Sequence, residues 1–147
     1  MALIAGVGND VQDIGPFVEA MEASARRMCA IVTWFQSPRA GADALWQEIY
    51  GEPRETLPAM PEFLALLLAR GAIFEVRLAE RPSISYASVE DAHVFLRRQL
   101  WLKEGSNRDE RLRGTLAERL TERDGRFAIS WEPITIGVVT WSPTPAQ

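Results

Sequence analysis

The sequence predicts one α/β domain with a mostly parallel sheet, a late antiparallel strand and helices on both faces. Residues 28–35 are apolar without alternation, which is typical of a strand covered on both faces in a parallel sheet. A shorter apolar run at 3–7 and an amphipathic segment at 14–27 precede it, so the chain begins as strand, helix, strand. The whole pattern, β α β α α β α α β β, predicts an α/β sheet.

Local signals place the elements of the first half. Asp13 can cap a helix at 14–27, and Pro16 fits its first turn because the N–H that proline lacks has no partner there. The strands at 3–7 and 28–35 then form a parallel pair joined by a right-handed crossover. Further elements are predicted as a short helix at 42–50, a helix at 61–70 that Gly71 ends in the left-handed conformation, and a strand at 74–78.

Two capping patterns organise the second half. Ser88 with Asp91 begins a predicted helix that runs to about Leu102, and Ser106 with Asp109 begins another. The second helix carries leucines at every fourth position, namely Leu112, Leu116 and Leu120. Apolar residues alternate at 127–131 and again at 134–140, which predicts either a hairpin or a strand that follows a short extension. Without repeats or a long linker, residues 1–147 are expected to form a single domain.

Composition excludes several classes of protein. The 147 residues carry a net charge of −4, so the overall charge of the chain does not attract nucleic acid. No basic leader is present, and every apolar run is shorter than the roughly 18 residues of a membrane span, which predicts a cytoplasmic protein that does not enter the membrane. Cys29 is the only cysteine, so no internal disulfide and no multi-cysteine metal site can form.

Few residues suggest chemistry by themselves. The common glycine-rich phosphate loops are absent, and Gly6-Val7-Gly8 is only weak evidence for a ligand loop. His93 is the only histidine and has no second ligand near it in sequence, so a structural role is expected rather than a metal site. Cys29 lies in a predicted buried strand, where its thiol pKa is expected to be raised. The five tryptophans are interpreted as core, with Trp34 the one of functional interest.

Position in the predicted sheet gives the candidate site. Ligands of open α/β sheets bind at the carboxyl ends of the strands. The residues that follow the first strand are Gly8, Asn9 and Asp10, and those at the end of the second are Trp34, Phe35 and Gln36. These two groups form the candidate rim of a ligand site.

Several segments together resemble the carboxyl-terminal half of a class I S-adenosylmethionine-dependent methyltransferase, which has a Rossmann-like domain. The resemblance covers about residues 8–142, and it makes the strand at 3–7 the fourth strand of that domain. It assigns 26–33 to the end of the next helix and the fifth strand, and 136–141 to the seventh strand. It rests on residues 10–21, 26–33, 45–54, 95–102 and 136–141. The implied fold is a partial Rossmann-like sheet.

The resemblance also implies a cofactor and site residues. In that family S-adenosylmethionine is held mainly by the earlier half, through a glycine-rich loop and an acidic residue that have no counterpart here. The chain is therefore expected to be inactive and to bind no S-adenosylmethionine alone, with only Gly8, Asn9 and Asp10 able to touch the cofactor. The implied substrate-side residues are Trp34, Phe35 and Tyr50, where Tyr50 replaces an expected histidine. No catalytic residue and no metal site is assigned.

Partners follow from the same interpretation. Without earlier strands, the strand at 3–7 is an open sheet edge that invites pairing, so a homodimer or a complementing amino-terminal half is expected, with a small-molecule substrate. The alternative function is a small non-catalytic binding or interaction module derived from that fold. A stand-alone enzyme using Asp10 and Trp34 is less well supported, because no base, nucleophile or metal cluster converges there.

Overall fold

The computed structural model describes residues 1–5, 13–36, 41–55 and 58–143. The chain forms two compact units, which the sequence analysis did not distinguish. The sheet unit comprises Met1–Ser37, Leu57–Arg81 and Thr135–Gln147, and the helical unit comprises Pro38–Thr56 and Pro82–Ile134.

The elements follow the predicted order, with one additional short strand. In chain order they are β1 (Ala2–Ala5), α1 (Ile14–Ser24), β2 (Cys29–Trp34), a 3-10 turn (Ala42–Leu45), α2 (Trp46–Tyr50), α3 (Met60–Ala69), β3 (Phe74–Arg81), α4 (Val89–Gln99), α5 (Asn107–Arg119), β4 (Thr121–Arg123), β5 (Arg126–Ala128) and β6 (Ile134–Trp141). None of the helices in the described segments is both long and apolar enough to cross a membrane.

The four-stranded sheet is mixed. Its strand order is β1-β2-β6-β3, with β1 and β2 parallel, as predicted. The last strand, β6, is antiparallel to β2, which confirms the late antiparallel strand. A mostly parallel sheet was the wrong prediction, because β2 and β6 as well as β4 and β5 pair antiparallel. The continuous apolar pattern of β2 predicts that the strand is buried. It does not predict whether β6, which comes from the end of the chain, pairs with β2 parallel or antiparallel.

Both helices of the sheet unit pack on the same face of the sheet. Alternate residues of a strand point to opposite faces, and Cys29 and Ile31 share one cluster with residues of α1 and α3. Val32 and Trp34, at the intervening positions of β2, are only partly buried. The helices of this unit therefore lie on one face rather than on both. The buried members of the cluster are Val18, Met21, Ala25, Cys29, Ile31, Met60, Phe63, Leu67, Val139 and Trp141.

Capping side chains begin the two long helices of the helical unit. The amide of Asp91 donates to Ser88 Oγ at 3.0 Å, and the amide of Asp109 donates to Ser106 Oγ at 3.3 Å. These contacts confirm both predicted caps. The core between the helices consists of Leu45, Ile49, Tyr86, Ala92, Leu96, Leu100, Leu112 and Leu116.

A hairpin that the sequence analysis missed follows α5. β4 and β5 pair through a two-residue turn in which Asp124 and Gly125 have φ of 51° and 71°. Asp-Gly favours this turn because both residues tolerate positive φ. The predicted hairpin between 127–131 and 134–140 does not form, since β5 pairs with β4 and β6 pairs with β2. The alternative, a strand after a short extension, describes β6.

The tryptophans do not all lie in the core. Trp141 is buried in the sheet unit, whereas Trp101 is 74% exposed at the end of α4. Trp101 also has a φ of 51°, the left-handed conformation in which glycine usually ends a helix. The prediction that Trp101 belongs to the core was therefore wrong.

Candidate functional site

A cavity of about 300 Å³ opens where the parallel strands of the sheet unit end. It is lined by Ala5, Val32, Thr33, Trp34, Arg81 and Ile136. Ala5 and Trp34 are the last residues of β1 and β2, so the cavity lies at the carboxyl ends of these strands. That is the position at which open α/β sheets bind ligands.

One cation and one indole give this cavity its chemical character. The guanidinium carbon of Arg81 lies 5.3 Å from the ring centroid of Trp34, within cation–π distance. Trp34 is opposite Ile136 on β6, and β3, which ends at Arg81, is the next strand. Arg81 forms no ion pair with any described residue. Its positive charge is therefore available at the cavity.

The lining suits binding better than acid–base catalysis. Ala5, Val32 and Ile136 offer an apolar surface, and Trp34 offers a flat ring. No carboxylate, imidazole or thiol is among the described residues that line the cavity. The arrangement can hold a flat apolar molecule that carries an anionic group against Arg81, because a guanidinium pairs well with a carboxylate or phosphate.

The predicted rim residues have different positions in the structure. Gly8, Asn9 and Asp10 lie outside the described residues. Trp34 lines the cavity. Phe35 packs instead against the helix-covered cluster, and its amide donates to the carbonyl of Thr135 at 3.1 Å. The structure thus brings Trp34, and not Phe35, to the cavity.

Tyr50 belongs to the helical unit and has structural contacts there. Its hydroxyl donates to the carbonyl of Leu100 at 2.5 Å. Its ring stacks on Trp46 with centroids 4.1 Å apart, and the guanidinium of Arg108 lies 4.5 Å from the ring centroid. These contacts link α2 to the end of α4 and to α5. A substrate role for Tyr50 stays a prediction.

A histidine–aspartate pair is buried between α4 and α5. His93 Nε2 and Asp109 Oδ1 are 2.8 Å apart, and both residues are less than a tenth exposed. The amide of Gly105 donates to Asp109 Oδ2 at 2.9 Å. Burial, the largest single influence, raises the pKa of Asp109, but the Gly105 amide, His93 and Arg97 together hold the pKa below its ordinary value.

This pair resembles an oriented general base, yet its surroundings favour a structural role. Arg113 approaches His93 Nδ1 at 3.3 Å, so both ring nitrogens have protein neighbours. No described cluster of three His, Cys, Asp or Glu residues could hold a metal ion. The interpretation of His93 as structural therefore agrees with its contacts. Its partner Asp109 gave no sequence signal beyond a helix cap.

Cys29 is not a nucleophile in this environment. It is fully buried, and burial raises the pKa of its thiol, as does the Glu22 carboxylate. Glu22 is itself 8% exposed, accepting from Trp141 Nε1 at 2.9 Å and from Arg70 at 3.4 Å. The raised pKa predicted from the position of Cys29 is confirmed.

Arg81 is the site residue that sequence reasoning missed. The sequence marks Arg81-Pro82 only as the end of a strand. Its partner Trp34 is on β2, and the two strands are separated in the sheet by β6. Only the strand order brings the two side chains together, and no local pattern encodes it.

Comparison with known proteins assigns no family. No protein-family model matches the chain, and no curated protein matches it.

Proposed function

We propose that this chain forms the carboxyl-terminal half of a class I S-adenosylmethionine-dependent methyltransferase domain and supplies its substrate side. The observation that carries the proposal is the sheet. The resemblance requires a parallel pair from the fourth and fifth strands and an antiparallel seventh strand. β1 and β2 are parallel, and β6 lies antiparallel beside β2.

The cavity supports a substrate-side role. It lies at the carboxyl ends of β1 and β2 and contains Trp34, one of the residues that the resemblance places near the substrate. Arg81 adds a positive charge over the indole ring. The substrate class that fits these groups is a small planar molecule with a carboxylate or another anionic group.

The described residues do not fit S-adenosylmethionine itself. Arg81 is the only charged residue among the described residues that line the cavity, and none of these residues carries a negative charge to face the sulfonium of the cofactor. No described carboxylate is present there to hold a ribose, as an acidic residue does in dinucleotide sites. We therefore assign no methyl-transfer step to this chain alone, and we propose that cofactor binding depends on an earlier half.

The β1 edge offers a place for that half. β1 is an outer strand among the described strands of the sheet, and Leu3 is 58% exposed. An outer strand has unpaired backbone groups on one side, which a further strand can satisfy. An amino-terminal half that ends in a strand would extend the sheet at this edge. A cytoplasmic location belongs to the same proposal, supported by a single unpaired cysteine.

Calorimetric titration with S-adenosylmethionine tests the proposal. It is carried out on the longest protein that the gene encodes and on the 147 residues alone. Micromolar binding by the former and none by the latter is expected if the gene encodes more than these residues. Binding by the 147 residues alone would contradict the dependence on an earlier half.

The alternative is a non-catalytic binding module. It is favoured by one observation, namely that the described lining of the cavity includes no acid–base group. Absence of S-adenosylmethionine binding in both titrations, together with binding of a small aromatic carboxylate, would support this alternative over the methyltransferase.

A further inference from the structure

The outer strand at the other side of the sheet, β3, exposes apolar side chains. β3 has eight residues and neighbours only β6 within the described sheet. Val76 is 36% exposed and Leu78 is 58% exposed, and Ile73, just before the strand, is 91% exposed. A long outer strand with exposed apolar residues is a template for pairing with another chain.

The residues of β3 are complementary to their own reversed sequence. In a two-fold antiparallel pair centred on Val76, Glu75 lies opposite Arg77 of the second copy, and the reciprocal pair repeats this contact. Phe74 then lies opposite Leu78, and Val76 opposite Val76. Opposite charges and apolar residues in directly facing positions each stabilise an antiparallel pair.

Neighbouring registers are less complementary than the one centred on Val76. Centring the pair on Glu75 or on Arg77 places like charges opposite each other, which destabilises the pair. Centring it on Leu78 keeps one opposite-charge pair, Glu75 with Arg81, but places the apolar Val76 opposite Glu80. It also places Phe74 opposite Pro82, which has no N–H to donate. Registers whose two-fold axis passes between two residues are excluded, because a residue with backbone groups that point out from the sheet edge would then face one with backbone groups that point towards β6.

The side-chain alternation of the strand agrees with the same register. Phe74, Val76 and Leu78 alternate with Glu75 and Arg77, so the two sets point to opposite faces of the sheet. Phe74 packs against the helix-covered cluster, which places the exposed Val76 and Leu78 on that side. Pairing would align the apolar residues of both copies on this face and the ion pairs on the other.

We propose that two copies of this chain associate through β3, in an antiparallel pair centred on Val76, to form one continuous sheet. The charge complementarity of Glu75 and Arg77 selects a second copy as the occupant. This interface is distinct from the β1 edge, where the sequence alone placed the homodimer. The β1 edge stays available to another strand.

Charge reversal tests the register. Sedimentation equilibrium of the 147-residue chain is expected to give a dimer at micromolar concentrations. Arg77→Glu places a like charge opposite Glu75 in both symmetry-related pairs. Each facing pair contributes roughly 0.2 to 1 kcal/mol, and about 1.4 kcal/mol is a tenfold change in affinity. The substitution is therefore expected to raise the dimer dissociation constant about tenfold or more. The double variant Glu75→Arg/Arg77→Glu restores opposite charges and is expected to restore the dimer.

Oxidative cross-linking gives an independent measurement. Val76→Cys places two thiols opposite each other across the two-fold axis, within disulfide reach, so a covalent dimer is expected. In Leu78→Cys the equivalent thiols are displaced by about 13 Å, four residues at about 3.3 Å each, so little cross-linking is expected. Cys29 is fully buried and does not compete.

Several results would overturn the proposal. These are a monomer in every sample up to high micromolar concentration, a dimer that Arg77→Glu leaves intact, and equal cross-linking of Val76→Cys and Leu78→Cys. A dimer that is lost in Leu3→Lys and retained in Arg77→Glu would place the interface at β1 and would likewise overturn it. Circular dichroism is the control that checks whether each variant is folded.

Discussion

The two units each bury a carboxylate, and they do so with partners from very different distances along the chain. In the sheet unit, Glu22 is held by Trp141, 119 residues away, and by Arg70, 48 residues away. In the helical unit, Asp109 is held by His93, 16 residues away, and by Gly105, four residues away. The buried carboxylate of the helical unit is therefore held by residues close to it in the chain, whereas that of the sheet unit is held by distant segments.

This difference extends to function. In the helical unit, the buried side chains of His93 and Asp109 contact each other between α4 and α5. The sheet unit has two outer strands and a cavity with an arginine that has no described ion-pair partner. We therefore assign binding to the sheet unit and a structural role to the polar core of the helical unit.

Removal of the Asp109 carboxylate is expected to have the largest effect on stability. Asp109→Ala would leave His93 and the Gly105 amide without their partner, and each buried group left without a hydrogen bond costs about 1 to 3 kcal/mol. Urea denaturation followed by circular dichroism measures the change. Asp109→Asn keeps an acceptor oxygen and serves as the milder control. A loss below about 1 kcal/mol for Asp109→Ala, the range of an exposed pair, would contradict the role assigned to it.

Lowering the pH is expected to weaken the contacts of the Asp109 carboxylate. The pKa of Asp109 is below its ordinary 3.8 in the folded chain. Its contribution is therefore complete above the ordinary pKa and is lost as the pH falls through the lower folded value. The free energy of unfolding should decrease below about pH 4, and this decrease should be smaller in Asp109→Asn. Equal acid sensitivity of the two proteins would argue against a favourably held Asp109 carboxylate.

Two glycine-to-alanine substitutions, one in each unit, are expected to change the free energy of unfolding in opposite directions. A Cβ on Gly137 in β6 would overlap Met60 Sδ, so Gly137→Ala should destabilise by about 1 to 3 kcal/mol. Gly114 lies in α5 with no atom near an added Cβ, so Gly114→Ala should stabilise by about 0.5 to 1 kcal/mol. Denaturation curves of both variants check this. A stabilising Gly137→Ala would show that Met60 moves aside without cost.

The smallest effect is expected at Tyr86 in the helical unit. Its hydroxyl is buried without a hydrogen-bond partner among the described residues, and burial raises the pKa of Tyr86 to about 12. Tyr86→Phe should therefore be neutral or stabilise by up to about 1 kcal/mol. The matched control is Tyr50→Phe, which loses the bond to Leu100 and should destabilise by about 0.5 to 1.5 kcal/mol. Thermal unfolding distinguishes the pair, and the reverse ranking would contradict this assignment.

Sequence predicted the parts of the fold that local chemistry determines. Ser88 and Ser106 cap their helices, and Gly71, with φ of 72°, ends α3 as expected. Each signal lies within a few residues of its consequence. The insertion of β6 beside β2 and the pairing of β4 with β5 were missed, because strand pairing depends on contacts that a local pattern does not specify.

The candidate site likewise has one residue that a positional rule predicted and one that depends on strand order. Trp34 was predicted to be at the site because the carboxyl end of a parallel strand is a positional rule. Arg81 was missed because it reaches Trp34 only through the order of the strands. Phe35, one residue beyond Trp34, points into the core, which the alternation of the strand explains.

Nitrogen-15 NMR of the tryptophan indoles tests the central claim, that ligand binding belongs to the sheet-unit cavity. The probe is benzoate, with uncharged benzamide as the control, and Trp34→Phe assigns the resonance. We expect benzoate to shift the Trp34 indole resonance, benzamide to have little effect, and Arg81→Gln to abolish the shift. Shifts confined to Trp46 or Trp131 of the helical unit, or equal responses to benzoate and benzamide, would contradict the claim.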